Sequence, residues 1–135
     1  MLALLHTSPV HVPVFDALRD DTRPELELRH LVDEELLVRA RAEGPEAVAH
    51  DVRARLREAV AAGARAVLCT CSTIGSVAEA SADRIGVPVL RVDRPMARAA
   101  VTALASPTGF AAGSGLVASA FGMAAPSALI VAAVV

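Results

Sequence analysis

The sequence predicts an α/β fold: a three-layer lobe with a parallel sheet of about four strands, and three observations predict it. Short apolar runs alternate with segments of helical periodicity, which is the signature of βαβ units. One run, Ala66-Val67-Leu68-Cys69, is apolar without interruption, as a central parallel strand covered on both faces must be. Finally, 135 residues, 54% hydrophobic and 21% charged, suffice for one core but not for two ordinary domains.

Taken in order, Leu2 to Leu5 reads as a short buried strand. Thr7-Ser8-Pro9 then offers an N-cap hydroxyl and a proline near a helix start, and Val10, Val14, Phe15 and Leu18 continue at helical spacing. Glu25 to Val32 alternates polar and apolar with period two, which predicts a strand exposed on one face, at a sheet edge, with His30 on the apolar side. Asp33-Glu34-Glu35 is a solvated charge run leading into a short segment that ends at Gly44.

The clearest helix starts at Pro45. It carries Val48, Val52, Leu56 and Val60 at i+4 spacing, keeps Arg53, Arg55 and Arg57 off that stripe, and stops at Gly63. After the apolar strand ending at Cys69, a helix is expected over 77–85, a strand over 87–92 and a fourth helix over 94–104. The lobe is therefore assigned to residues 1–104.

Charge divides the chain abruptly. Every charged residue lies at or before Arg98, and the tail from 105 to 135 is rich in Ala, Gly and Ser, with one strand-like run from Ala128 to Val135. Leu116 to Val135 is about long enough to span a hydrocarbon core. Gly122, Pro126 and two serines interrupt it, and no basic residue follows, so no membrane segment is expected.

Composition excludes several classes. With a net charge of −2 and no basic face interleaved with aromatics, no nucleic-acid partner is expected. All 13 basic residues are Arg, which reads as coding bias. The apolar run at the N-terminus is too short for a secretory signal and has no basic residue before it. Two cysteines one residue apart cannot staple a secreted scaffold, so both are expected to be thiols in a reducing cytoplasm. C-x-C without a third Cys or a suitably spaced His is also a poor metal site, and no metal is expected.

The chemistry centres on Cys71, in the turn between the apolar strand and the next helix. Ligands of open parallel sheets bind outside the carboxyl ends of the strands. Helix N-termini there favour negative charge, whether a substrate carboxylate or a thiolate. Ser72 and Thr73 add hydroxyl donors at the first helical turn, and Gly75 allows close backbone approach to a small ligand. Cys69, inside the strand, reads as a packing residue. His6, at the end of the first strand, is a candidate for substrate contact, and Asp93 a weaker one. His11, His30 and His50 read as structural, and Asp16 as an exposed helix residue.

The succession of a Thr-Ser turn after the first strand, a long amphipathic helix, and Ala66 to Cys69 followed by Thr70-Cys71-Ser72-Thr73 resembles the first lobe of the aspartate/glutamate/hydantoin racemase superfamily. Cys71-Ser72-Thr73 is similar to that family's Cys-Asn-Thr or Cys-Ser-Thr triplet. Pro88 to Arg91 with Asp93-Arg94-Pro95-Met96 resembles the strand and helix start that close its first lobe. The resemblance implies a cofactor-independent racemase-like protein acting on a small amino acid or related carboxylate. It implies Cys71 as one of two catalytic thiols on opposite faces of the substrate carbon, and Thr7, Ser8 and Thr73 as carboxylate binders.

The chain departs from that pattern after Arg98, where neither a second α/β lobe nor a third cysteine follows. Cys69 cannot stand in, because two thiols that close on one strand project to the same side. The expected explanation is a truncated or frameshifted member. The alternatives are a single lobe that forms a homo-oligomer, and a non-catalytic lobe that binds a small carboxylate or a partner.

Overall fold

The structure, a computed structural model, describes residues 1–95, and Met1–Val92 form a compact unit. Strands β1 (Leu2–His6), β2 (Leu28–Val32), β3 (Ala66–Cys69) and β4 (Val89–Arg91) make one all-parallel sheet in the order β2-β1-β3-β4. Leu4 lies beside His30 and Leu68, and Leu5 beside Leu31 and Cys69. All five residues of β1 are buried, which its apolar sequence requires of a strand with neighbours on both sides.

Alternation along the strands sends Ala3, Leu5, Leu31, Val67, Cys69 and Val89 to one face. There they meet α2 (Glu35–Glu43), α3 (Ala49–Ala61) and α4 (Ser72–Glu79). Val52 and Leu56 of α3 are fully buried, together with Val48 in the 3₁₀ turn Pro45–Val48 that leads into it. Such burial stabilises by about 1.5–3 kcal/mol for each large side chain. The opposite face carries His6 and His30, and α1 (Val12–Thr22) meets it through Phe15 and Asp16. Helix, sheet and helix form three layers, as parallel strands with crossover connections dictate.

Several local expectations change. The helix expected over 77–85 begins at Ser72 and breaks before a short α5 (Ala82–Ile85), because Ile74, Val77 and Ala78 bury against the core. Val10 and Val14 are 65% and 60% exposed, so of the apolar stripe expected at the first helix only Phe15 and Leu18 are half-buried. β2 is at the sheet edge as expected, but it is not one-sided: Leu31 is buried against the helices while His30 turns to the other face. Gly44 ends α2 at φ 93°, a conformation only glycine adopts readily. Among the described residues no helix is long and apolar enough to cross a membrane. The strand-like run from Ala128, the charge-free stretch from Leu116 and nearly all of the helix expected over 94–104 lie outside the described residues.

Candidate functional site

The strand order places a topological switch point between β1 and β3. From β1 the chain crosses to β2 on one side, and from β2 it returns past β1 to β3 on the other. At such a point the loops leaving the carboxyl ends of the two strands run to opposite faces of the sheet, and the space between them is the usual ligand position. Thr7 and Ser8 follow β1, and Cys71, Ser72 and Thr73 follow β3. The Thr70 amide donates to the Leu5 carbonyl at 3.0 Å and carries the β1–β3 pairing up to this end. All five candidate residues thus issue from adjacent central strands at the carboxyl end of the sheet.

Cys71 is the N-cap of α4, with extended backbone at φ −105° and ψ 118°. It is half-buried and packs against the core, and its side chain makes no capping hydrogen bond. The first turn of α4 also contains no acidic residue. Among the described residues no side chain caps its amides, and its own first turn brings no negative charge to the positive end of the helix. Ser72 is exposed and Thr73 half-buried, while Thr7 is buried and Ser8 half-buried. These groups can hold an anion and place a thiol beside it.

Cys69 takes no part in that arrangement. It is fully buried in the core, and its thiol donates to the Cys71 carbonyl, Sγ to O 3.5 Å. Gly75 does not open toward a ligand either. A Cβ there would lie 3.0 Å from Nε of Arg91, so the space beside the glycine holds the arginine, which also approaches Glu79 at 3.9 Å.

His6 is fully buried and both its ring nitrogens are engaged, Nδ1 with Thr70 Oγ1 and Nε2 with His30 Nδ1, each at 2.8 Å. It is not available for the substrate contact expected of it. Burial, reinforced by His30 and His11 and opposed by Asp16, pushes its pKa from 6.5 down to about 4. The ring is therefore neutral at physiological pH. His30 Nε2 continues the line to Asp16 Oδ1 at 3.3 Å. Asp16 is thus a hydrogen-bonding partner of a histidine, where the sequence suggested an exposed helix residue. The signal available was the parity of β2, which put a polar ring on an apolar face where it needs a partner. His50 is exposed, and Asp93 lies beyond β4, outside the unit Met1–Val92.

Among the described residues no group of three or more His, Cys, Asp or Glu side chains is placed to hold a metal ion. Set against known proteins, the chain matches no family model, no curated protein and no solved structure.

Proposed function

We propose that this lobe is a racemase-like half-site that needs no cofactor, in which Cys71 moves a proton at the carbon next to a carboxylate. Thr7, Ser8, Ser72, Thr73 and the first-turn amides of α4 hold the carboxylate of a small amino acid. The Cys71 thiolate takes the α-proton and becomes a thiol, and the electron pair left on carbon delocalises into the carboxylate. Donors around that group stabilise the charge as it develops. The thiol then exchanges its proton with solvent, and return of a proton from Sγ to the same face regenerates substrate carrying a solvent-derived hydrogen.

What supports this reading is the adjacency of β1 and β3 at the switch point, which draws a half-buried thiol, an uncapped helix start and the Thr7-Ser8 turn to one end of the sheet. The two cysteines are reduced thiols, which fits a cytoplasmic protein. Exchange needs only one thiol. Inversion also needs an acid on the opposite face of the carbanion, from a second lobe or a second copy of the chain.

Incubation with aspartate, glutamate and other small amino acids in heavy water tests the proposal, with the α-proton followed by NMR. The expected result is loss of the α-proton signal from one of these, abolished by Cys71→Ala and retained in Cys69→Ala. Absence of exchange with every substrate, accompanied by saturable carboxylate binding, would instead favour a lobe that binds without catalysis.

A further inference from the structure

One cluster of titratable side chains has no role in the chemistry above. It runs from Asp16 on α1 through His30 on β2 and His6 on β1 to Thr70, the residue between the two cysteines. Its distances are 3.3 Å from Asp16 Oδ1 to His30 Nε2, 2.8 Å from His30 Nδ1 to His6 Nε2, and 2.8 Å from His6 Nδ1 to Thr70 Oγ1. The Thr70 hydroxyl also lies 3.2 Å from the Leu5 carbonyl, to which it can donate.

The protons along this line can be counted. A hydroxyl donates once, a neutral imidazole has one N–H and one accepting nitrogen, an imidazolium has two N–H groups, and a carboxylate only accepts. Because Asp16 accepts, His30 Nε2 carries a proton. With His30 neutral, its Nδ1 accepts from His6 Nε2–H, His6 Nδ1 accepts from the Thr70 hydroxyl, and Leu5 loses that hydroxyl as a donor. With His30 cationic, Nδ1 donates to His6 Nε2, the His6 proton moves to Nδ1 and donates to Thr70, and the Thr70 hydroxyl donates to Leu5. One added proton thus reverses the His30–His6 and His6–Thr70 bonds together.

We propose that His6 is a positioning residue for the turn that carries Cys71, acting through Thr70, and that the charge on His30 selects which of two hydrogen-bond directions His6 imposes. The His6 ring is fully buried with both nitrogens bonded, so it changes tautomer without leaving its place. Its depressed pKa, about 4, keeps it neutral in both states. The groups facing the pair are His11, with its ring 6.2 Å from that of His6, Phe15, Thr70 and Asp16, which Arg19 also approaches at 3.4 Å. Asp16 is 41% exposed in its side chain, so a proton reaches His30 from the α1 side. The reversal stands without the proposed chemistry, whereas its effect at Cys71 rests on that reading.

The test uses the full chain labelled with ¹⁵N-histidine, reading by NMR which ring nitrogen of His6 and His30 carries a proton as the pH falls from neutral. The expected result is a His6 ring that stays neutral and moves its proton from Nε2 to Nδ1 over the same pH range in which His30 becomes a cation. In Asp16→Asn, a change near the surface, both events shift together to lower pH, and in His30→Gln the His6 change disappears. Exchange of the substrate α-proton follows the same pH range and loses that dependence in His30→Gln.

A His6 ring that keeps one tautomer while His30 titrates overturns the proposal. So does a pair that changes over unrelated pH ranges, or a His30 that stays uncharged until the fold is lost. Reversal of the line with no exchange on any substrate upholds the switch and overturns the chemistry assigned to Cys71.

Discussion

The thiol of Cys69 donates to the backbone carbonyl of Cys71 across 3.5 Å, so the buried cysteine helps to hold the residue that presents the half-buried one. The two thiols differ in accessibility although one residue separates them. β3 ends between them: Cys69 closes the strand, and Cys71 starts the helix.

That difference is measurable by alkylation. Iodoacetamide is expected to modify Cys71 in the native protein and both cysteines once urea unfolds it, read by mass spectrometry. Cys69→Ala leaves a small cavity and is expected to cost about 1 kcal/mol in urea unfolding. Preferential native labelling of Cys69 would contradict the assignment.

Acid should destabilise the fold through His6. Its pKa is 6.5 unfolded and about 4 folded, so between those values the unfolded chain binds more protons. The contribution is fully present above pH 6.5, falls as the pH drops toward 4, and is on the order of 3 kcal/mol across that window. Urea midpoints at pH 7, 5.5 and 4 are expected to fall steeply in the native sequence. In His6→Asn the fall is shallower, from a lower starting stability. Parallel pH profiles for the two proteins would refute this assignment.

Gly44 has φ 93° and ψ 155°, and nothing lies within 4 Å of where a Cβ would be. The expected cost of Gly44→Ala is therefore backbone strain alone, about 1–3 kcal/mol. Thermal unfolding measures it, and a neutral result would mean that the turn accommodates another conformation.

Gly75 poses the opposite problem, since its backbone is helical and the space beside it is filled. Gly75→Ala gains about 1 kcal/mol in helix propensity and loses a comparable amount by displacing Arg91, so a change within about 1 kcal/mol is expected. Gly75→Val adds bulk against the same arginine and is expected to destabilise by about 1–3 kcal/mol in urea unfolding.

The fold was legible wherever burial was complete or strictly periodic. β1 is apolar from Leu2 to Leu5 and β3 throughout, and α3 carries Val52 and Leu56 on a stripe continued from Val48, so neither depended on distant detail. The extent of α4 was only partly legible: Ser72 and Thr73 read as a first helical turn, but the apolar periodicity began only at Val77, because Ser72, Thr73 and Gly75 are weak helix formers and the packing of Ile74, Val77 and Ala78 overrides their propensity. The same limit explains Val10 and Val14: helical spacing gave them a stripe, but it could not say whether that stripe faces inward. At the site, Cys71 and its hydroxyl neighbours were legible as a local turn. The histidine line was not, since it joins side chains on strands that only the sheet brings together.

His6 meets one partner 24 residues further along the chain and another 64 residues further along. β1 is paired on both sides, so its two ladders close loops of very different length. Closing the longer loop costs somewhat more entropy than closing the shorter, and contacts of high sequence separation slow folding. The β1–α1–β2 unit is thus expected to assemble before β3 docks. Until β3 arrives, one edge of an almost wholly apolar strand is without its neighbour, which makes that interval the period of greatest exposure to aggregation.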